Sequence, residues 1–466
     1  MARSLPDALR ARLGVDPRAL AALRVALGLL VLADLALRAG DLVAFYTDAG
    51  VLPRALLFEA YPTVGRLSLY ALFGSPLWAA TLFLLTAGVA CALVAGYRSR
   101  LAALALFVLL LSLHTRNLLV LNAGDSLLRR LLLWGALLPL GARWGLDGGE
   151  KRDRVVSVAT AGLLVQVFVV YGVNAVIKLR GEAWRSGEAV RYVFGIDALT
   201  VGLGDALAGQ SWLLSLGAHA WLALLVASPL LLLATGRLRA ALVGAFVGGH
   251  LFMFLTLRLG VFPLVSAAGL LVFLPPLVWD RVEAATADLR ARAAGRWLPR
   301  PGGALLGRLD PPATRTVAAL LLAFVLVWNA SSLGLVALPA ASGSVDPEQR
   351  RWDMFAPEPP KTDSWHVPVG TTADGERVDA LRGGAPVFDV ADSGATYPSH
   401  RWYVYLGDLR GAPALRPGLA AHLCERWDRT HASDLVRVEH VLVTRRVVLD
   451  GSAPVERRGL GTYDCP

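Results

Sequence analysis

The sequence is poor in charge, in lysine and in cysteine. Only 18% of its 466 residues are charged and 55% are hydrophobic, whereas a soluble domain is about one quarter charged. The three cysteines are Cys91, Cys424 and Cys465, and none belongs to a CxxC motif, which argues against dithiol redox catalysis and thiolate zinc sites. No HExxH motif or comparable ligand spacing occurs, so we predict no metal site.

Apolar blocks of about 20 residues, each long enough to cross a bilayer core of about 30 Å, recur along residues 1–340. They predict a polytopic α-helical membrane protein with about nine transmembrane helices. The first is expected to be a retained helix, because no clear cleavage site follows it. The expected spans are residues 20–38, 76–97, 101–121, 125–143, 155–181, 212–235, 238–257, 260–279 and 314–338.

The net charge of +10 does not indicate nucleic-acid binding, because the basic residues gather in loops on alternate sides of the apolar blocks. If the N-terminus is cytoplasmic, the inside segments carry twenty Lys and Arg and the outside segments between helices carry six. The positive-inside rule therefore predicts a cytoplasmic N-terminus, and an odd number of spans places the C-terminus outside. Two long outside segments, residues 39–75 and 182–211, are expected to form interfacial or re-entrant helices.

Residues 341–466 are more polar and are expected to form an extracytosolic β-rich domain with one helix. The pattern predicts two strands around a DG turn in SWHVPVGTTADGERVDAL, and further strands at RWYVYL, LVRVEHVLV and RRVVLDG. PGLAAHLCERW is expected to be the helix. In an oxidising compartment Cys424 and Cys465 can form a disulfide, and the alternative is two unpaired thiols.

Lys178 is the only lysine at membrane depth in a chain with 43 arginines and three lysines. Tyr171, Asn174 and Lys178 are spaced i, i+3, i+7 and share one helical face. An ionisable residue within a span is a candidate for a functional site, and the alternative is a side chain that reaches the headgroups. Arginine would serve that alternative equally well but cannot lose its proton, so the choice of lysine favours a site that needs a neutral amine.

Three of the eight histidines, His114, His219 and His250, also lie in predicted spans. Each is expected seven residues from the extracytosolic end of its helix, about 10 Å deep at 1.5 Å per residue. Together with Lys178 they form a band of ionisable groups open to the outside, although one or two histidines could be structural. Asn117 lies at the outer turn that follows His114.

Four segments resemble the vitamin K-dependent γ-glutamyl carboxylases. In VYGVNAVIKLRGEAWRSGEAV, five residues match the family's VYFxxGxKKLxxxW-like run around its catalytic lysine. They are Val170, Tyr171, Lys178, Leu179 and Trp184. Three further segments resemble other parts of the family. GARWGLDG resembles the exit from the preceding helix, and GGHLFMFLTLRLGVFPLV resembles the later histidine helix. RRWDMFAPEPPKTDSWHVPVGTTADGERVD resembles the segment that opens the lumenal β domain. The wider grouping is the bacterial horizontally transferred transmembrane (HTTM) proteins.

This resemblance implies an enzyme of the bacterial cell membrane that uses a reduced quinone (vitamin K or menaquinone hydroquinone), O2 and CO2. In the family the lysine deprotonates the hydroquinone, which reacts with O2 to give a strong base and finally the quinone epoxide. That base removes a γ-proton of glutamate, and CO2 adds to the carbanion. Lys178 would be the catalytic base, and His114 lies where the family has a site histidine. The residues expected to line the quinone pocket are Tyr171, Asn174, Trp184, His219, His250 and Asn117.

The chain departs from the family at two points. Ile177 replaces one of the family's paired lysines, and the C-terminal domain is much shorter than that of the animal enzyme, which puts recognition of a secreted peptide and carboxylation itself in question. An alternative function is a non-enzymatic HTTM protein that binds a secreted peptide or a quinone as a sensor or immunity factor. A transporter is less favoured, because the polar residues occupy only the outer half. Trp352, Met354 and Phe355 could close the pocket or serve domain packing.

Overall fold

The structure is a computed structural model that describes residues 5–148, 153–287, 311–337, 347, 351–451 and 453–465. Up to Ser332 the described chain is mainly helical. The first helices are α1 (Leu5–Leu13), α2 (Pro17–Ala39), α3 (Leu42–Tyr46), α4 (Arg54–Ala60), α5 (Pro76–Ala95), α6 (Ser99–Arg116), α7 (Ala123–Ala136) and α8 (Val158–Lys178). They are followed by α9 (Glu182–Ser186), α10 (Ala189–Phe194), α11 (Leu203–Leu207), α12 (Ser211–Val226), α13 (Pro229–Leu233), α14 (Gly236–Thr256), α15 (Phe262–Leu270), α16 (Pro276–Ala285) and α17 (Pro311–Ser332).

Within the described ranges, six helices are long and apolar enough to cross a membrane: α2, α5, α6, α8, α14 and α17. Each has at least 18 residues, which correspond to about 27 Å of helix. All six coincide with predicted spans, and the chain is an integral membrane protein with several spans. A seventh span is counted if α15 and α16 are taken as one bent helix.

The other three predicted spans are not full-length straight helices. α7 has 14 residues and α12 has 16, which correspond to about 21 and 24 Å of helix, short of the bilayer core. Each apolar run continues past its helix, but Pro139 and Pro229 interrupt it because proline lacks the N–H that a continuing helix needs. Pro275 and Pro276 lie at the break where the chain bends by 107° between α15 and α16.

Local chemistry defines both ends of α8, the helix that carries Lys178. Ser157 and Thr160 form a capping box in which each side-chain oxygen accepts the other residue's backbone N–H, and this starts the helix. The helix ends at Lys178, and Gly181 leads into α9. A Cβ atom at Gly181 would lie 1.7 Å from the carbonyl oxygen of Pro357. A side chain at position 181 would therefore clash with the segment around Pro357, which precedes the C-terminal sheet and passes over this turn.

The C-terminal region is built on a four-stranded antiparallel sheet with strand order β2–β1–β3–β4. The strands are β1 (Thr362–Thr372), β2 (Arg377–Asp379), β3 (Leu435–Arg446) and β4 (Val455–Asp464). Two helices, α18 (His400–Leu409) and α19 (Arg416–Asp428), lie between β2 and β3 in the chain, and α19 packs against β3. The predicted hairpin and the predicted helix at PGLAAHLCERW are confirmed. The predicted domain boundary between residues 340 and 341 lies outside the described residues.

Two predicted strands are wrong. RWYVYL belongs to α18, where Ser399 caps the helix and Trp402, Tyr405, Leu406 and Leu409 are all buried. Their i, i+3, i+4, i+7 spacing places them on one helical face, and burial of that face outweighs the strand preference of aromatic residues. In RRVVLDG only the two arginines belong to a strand, the end of β3. β4 was not predicted because VERRGLGTYD contains two glycines and few apolar residues.

The C-terminal region docks on the short helical segment that follows α2. The hydroxyl of Ser399 donates to Asp41 (2.6 Å), and the indole N–H of Trp402 donates to the other oxygen of the same carboxylate (3.1 Å). Farther along, Nδ1 of His422 lies 2.8 Å from the carbonyl oxygen of Ala49. These contacts fix α18 and α19 against the segment that follows α2 and bring side chains of α18 up to the helical region.

Cys424 and Cys465 form the predicted disulfide, which joins α19 to the end of β4. The bond closes a loop with a sequence separation of 41 residues, and a loop of this size is expected to stabilise the fold by about 2–4 kcal/mol. Replacing both cysteines with serine should lower the free energy of unfolding of the C-terminal region by this amount in denaturant titrations. Cys91→Ser, at an exposed free thiol, is the control that should change nothing. Wild-type protein that unfolds identically with and without reductant would contradict the prediction.

Acid should destabilise the C-terminal sheet through a buried histidine pair. Nδ1 of His366 on β1 lies 2.8 Å from Nε2 of His440 on β3. Burial lowers the pKa of His440 to about 4 and also lowers the pKa of His366. Unfolded imidazoles bind protons below pH about 6.5, so the stability that the neutral pair contributes is complete above that pH and is lost as the pH falls towards about 4.

For His440 alone the loss should reach about 3 kcal/mol, measured as the free energy of unfolding in denaturant at a series of pH values. His440→Gln should flatten the dependence, and His431→Gln, at an exposed histidine, should leave it unchanged. A wild-type profile that is flat over this range would show that the pair does not control acid stability.

Candidate functional site

A cavity of about 750 Å³ lies between the helical region and the C-terminal region, bounded mainly by α8, α10, α12, α14 and α18. Most of its lining is apolar, and a cavity of this size and character with a few polar groups is typical of a small-molecule site. The side chains with polar atoms are Asn122, Tyr171, Asn174, Lys178, Trp184, Trp221, His250, Arg258, His400 and Tyr403. Five of the eight predicted site residues are among them: Lys178, Tyr171, Asn174, Trp184 and His250.

Lys178 is 2% exposed and is held by backbone carbonyls. Its Nζ donates to the carbonyl oxygen of Met354 at 2.8 Å and to that of Phe355 at 3.3 Å. The same atom lies 3.3 Å from the centroid of the Trp184 ring. In the part of the chain that the structure describes, no carboxylate forms an ion pair with this amine. Lys178 is therefore a buried amine at the cavity wall with hydrogen-bond acceptors but no paired anion among the described residues.

The segment that carries these carbonyls is held by two other cavity residues. The side-chain amide of Asn174 donates to the carbonyl oxygens of Trp352 (3.2 Å) and Met354 (3.4 Å), and the indole N–H of Trp184 donates to that of Phe355 (2.7 Å). Phe355 adopts a φ of 58°, a left-handed conformation that is strained for a bulky residue. The site thus depends on a backbone turn whose carbonyl groups converge on Lys178.

A second polar pair lies on the same face of α8. The hydroxyl of Tyr171 is 3.0 Å from Nε2 of His250, and both side chains are buried. The ring centroids of Trp221 and Phe262 lie 5.5 and 5.9 Å from that of the His250 imidazole, and the ring of Phe246 packs against that of Tyr171 at 4.5 Å. Nδ1 of His250 is buried and has no hydrogen-bond partner among the described residues. Tyr171 and His250 therefore form an aromatic-lined part of the cavity with one free polar atom.

Two predicted pocket residues do not line the cavity. Asn117 is buried at the end of α6, where its amide donates to the carbonyl oxygen of Phe45 at 3.3 Å. His219 is exposed, and its ring nitrogens lie 3.0 Å from the carbonyl oxygen of Ser215 and 3.3 Å from that of Arg185. Both side chains are engaged by backbone groups. The common depth expected for the histidines does not bring them into one site, because their helices present them in different directions.

His114, the second predicted catalytic residue, lies beside a buried ion cluster rather than in the cavity lining. Arg38 donates to Asp34 (2.7 Å) and to Asp125 (2.5 Å), and Arg401 of α18 donates to the other oxygen of each carboxylate (2.7 Å in both cases). Nε2 of His114 is 3.6 Å from Asp125. The ligand atoms of Asp34, His114 and Asp125 lie within 4.8 Å of one another, a spacing that could suit a metal ion. The two guanidinium groups already neutralise both carboxylates, so the cluster acts as an ionic contact between the two regions.

Sequence reasoning missed the residues that α18 contributes. His400 and Tyr403 line the cavity, and Arg401 completes the ion cluster. They were missed because RWYVYL was predicted to be a strand, which would place alternate side chains on opposite faces. The available signal was a serine cap followed by apolar residues at helical spacing.

Comparisons with protein-family models, with characterised proteins and with solved structures give no match to this chain. The likeness to the carboxylases therefore rests on the four sequence segments quoted above. What the chain does has to be inferred from those segments and from the cavity.

Proposed function

We propose that the protein is a membrane enzyme that oxidises a reduced quinone to its epoxide, with Lys178 as the base. The observation that carries the proposal is a buried lysine amine on the wall of an apolar cavity, bonded to two carbonyl oxygens and paired with no described carboxylate. Such a position suits an amine that must lose and regain a proton, which arginine could not do. The resemblance of VYGVNAVIKLRGEAW to the carboxylase lysine segment supports the same role.

The contacts of Lys178 are compatible with both protonation states. A neutral amine can donate its two N–H groups to Met354 and Phe355 and keep its lone pair to accept a proton. After protonation the ammonium group lies against the Trp184 ring, where a cation–π interaction is worth about 1–2 kcal/mol. Because Trp184 also holds the carbonyl group of Phe355, one residue positions the amine and stabilises its charged form.

The cavity suits a reduced quinone because its lining is apolar and its polar groups are few. Asn174, Tyr171 and His250 would bind the polar edge of the ring beside Lys178. A bound hydroquinone supplies the electrons that reduce O2, so that one oxygen atom enters the epoxide and the other leaves as water. The apolar walls keep water away from the amine and from the reacting ring.

The resemblance extends the proposal to a coupled carboxylation, in which CO2 adds to a glutamyl peptide or a small molecule. His114 would then act at a distance from the cavity lining, beside Asp125, the carboxylate that pairs with Arg401 of α18. Ile177 and the short C-terminal region are the departures that bear on this second half of the reaction. The two halves are therefore tested separately.

We further propose a nine-span topology in a bacterial cell membrane, with a cytoplasmic N-terminus and an extracytosolic C-terminal region. The excess of basic residues in the predicted inside loops supports this orientation. The Cys424–Cys465 disulfide supports it independently, because such bonds persist in oxidising compartments. Seven or nine spans place the two termini on opposite sides, as this topology requires, whereas the six straight helices alone would place them on the same side.

The two hydrogen bonds of Lys178 also allow a second candidate function. The bonds from Lys178 to Met354 and Phe355 tie α8 to the C-terminal region, and a lysine can make them without any chemistry. On this alternative the protein is a non-enzymatic HTTM-type membrane protein whose cavity binds a quinone or a secreted peptide as a sensor or immunity factor. It shares the cavity with the first proposal but predicts no turnover.

The two functions are separated by giving purified full-length protein reduced menaquinone or vitamin K together with O2 and measuring quinone epoxide by mass spectrometry. The enzyme proposal expects epoxide to accumulate well beyond one equivalent of protein, and labelled CO2 with a glutamyl peptide then tests the second half. Folded protein that binds the quinone but forms no epoxide would favour the sensor function.

A further inference from the structure

One wall of the cavity carries polar groups that the proposed oxidation does not use. The wall is formed by α18 and by the turn between α14 and α15, and its polar residues are Arg258, His400 and Tyr403. The rings of His400 and Tyr403 are stacked, with centroids 6.3 Å apart and an interplanar angle of 27°. Burial raises the pKa of Tyr403 to about 12, so its hydroxyl keeps its hydrogen and can donate it.

The hydrogen on His400 can be assigned from its neighbour Asn122. Oδ1 of Asn122 accepts the backbone N–H of Asp125 at the start of α7, so its Nδ2 faces His400 and donates to Nε2 at 3.1 Å. Burial, together with the nearby Arg401, lowers the pKa of His400 to about 3, so the imidazole is neutral near physiological pH. Its one hydrogen is therefore on Nδ1, which is buried without a partner among the described residues. His400 thus keeps an unpaired, buried N–H group at this wall, which makes the wall more polar than its apolar surroundings.

Arg258 adds a positive charge to the same wall. Within the described ranges its side chain forms no ion pair, and its Nε is buried with no hydrogen-bond partner. The buried Arg401 differs, since it is paired with two carboxylates. A partly buried guanidinium group without an anion is costly, and that cost is recovered when an anionic ligand binds.

We propose that this wall binds the carboxylate of an amphiphilic organic acid whose apolar body occupies the cavity. Arg258 supplies the positive charge and the Tyr403 hydroxyl supplies a neutral donor. A carboxylate is the matching group because it only accepts hydrogen bonds, whereas an alcohol would leave the charge of Arg258 unpaired. The inference concerns binding and does not rest on the proposed quinone oxidation, because Lys178 takes no part in it.

The test is equilibrium binding of labelled decanoate to full-length protein in lipid nanodiscs, at a mildly alkaline pH that keeps the acid ionised. Decanol, with the same chain and no carboxylate, is the matched probe, and empty nanodiscs correct for partitioning into lipid. Wild-type protein should bind decanoate saturably and about tenfold or more tighter than decanol, as expected for a charged hydrogen bond. Arg258→Gln should remove this preference and leave decanol binding unchanged, and Arg66→Gln, at an exposed arginine, should alter neither.

Equal wild-type affinity for the two probes would overturn the proposal, whatever the outcome of the epoxide assay. So would an Arg258→Gln variant that keeps both decanol binding and the preference for decanoate. If the glutamine variant binds neither probe, the preference is measured in Arg258→Lys instead. Lysine keeps the positive charge and is expected to disturb the fold less than glutamine. A lysine variant that still prefers decanoate supports the proposal, and one that shows no preference contradicts it.

Discussion

Replacing Lys178 with arginine should lower the rate of epoxide formation by about 10²–10⁴-fold, the range that a positioned general base contributes. Arginine keeps the positive charge, can donate to the carbonyl oxygens of Met354 and Phe355, and can stack on Trp184. Its guanidinium group stays protonated, so it cannot accept a proton from the hydroquinone. The loss would therefore report on proton transfer, measured as the initial rate of epoxide formation by the purified variant in the wild-type lipid environment.

Lys361→Arg is the matched control for this substitution. The Lys361 side chain is 42% exposed, is paired with Glu358 at 3.4 Å and lies 4.8 Å from the ring centroid of Tyr192, so it resembles Lys178 in its aromatic contact but not in its burial. Its arginine variant should keep the wild-type rate. A Lys178→Arg protein that is as stable as wild type and turns over at the same rate would exclude Lys178 as the base.

Replacing Arg401 with leucine should destabilise the protein by about 3–5 kcal/mol, the cost of leaving buried carboxylates without their partner. Arg401 donates to both Asp34 and Asp125, and neither carboxylate side chain is more than 1% exposed. Arg38 alone would then face two negative charges. Because Arg401 belongs to α18, we also expect the C-terminal region to loosen from α2 and α7. Denaturant unfolding measures the first effect, and the rate of proteolysis of residues 351–465 measures the second.

A surface ion pair provides the comparison for Arg401. Nη1 of Arg429, the residue that follows α19, lies 3.7 Å from Oε2 of Glu425 in the last turns of that helix, and both side chains are more than half exposed. Arg429→Leu should change the free energy of unfolding by no more than about 1 kcal/mol. If the two leucine variants unfold alike and resist proteolysis alike, the buried cluster does not hold the two regions together.

The length of the apolar blocks was enough to predict the six long helices, because a span needs a continuous apolar run and little else. The same criterion failed at α7, α12 and the bent pair α15–α16. There the apolar run continues through Pro139, Pro229 and Pro275, but the helix cannot continue because proline lacks the backbone N–H that it needs. In the C-terminal region the strand prediction for RWYVYL is wrong, because so short an aromatic run fits the two-residue period of a strand as well as the 3.6-residue period of a helix. Only its burial against α3 and α19 selects the helix.

The part of the site on α8 was predictable because helical spacing is local. Tyr171, Asn174 and Lys178 were expected on one face, and all three line one cavity. Residues on other helices were less predictable, since depth alone does not give the rotation of a helix about its axis. His250 faces the cavity, whereas His219 faces outward.

The segment around Trp352 illustrates a contact that no local pattern contains. Pocket lining and domain packing were the two roles expected for this segment, and both occur. Met354 and Phe355 line the cavity, and the guanidinium group of Arg130 lies 4.7 Å from the ring centroid of Trp352. The partners lie more than a hundred residues apart in the chain. Their meeting follows from docking of the C-terminal region and could not be read from the spacing of residues within either segment.

The most direct test of the proposed chemistry supplies dioxygen labelled with the heavy oxygen isotope to wild-type protein and reduced menaquinone, and follows the isotope by mass spectrometry. The proposed oxidation predicts protein-dependent quinone epoxide that carries one labelled oxygen atom, with the second labelled atom recovered in water. Spontaneous oxidation gives the quinone, into which no atom of the supplied oxygen is incorporated. Mass therefore distinguishes the quinone from the labelled epoxide. Folded protein that yields only unlabelled quinone, at the rate seen without protein, would exclude the proposed oxygenation.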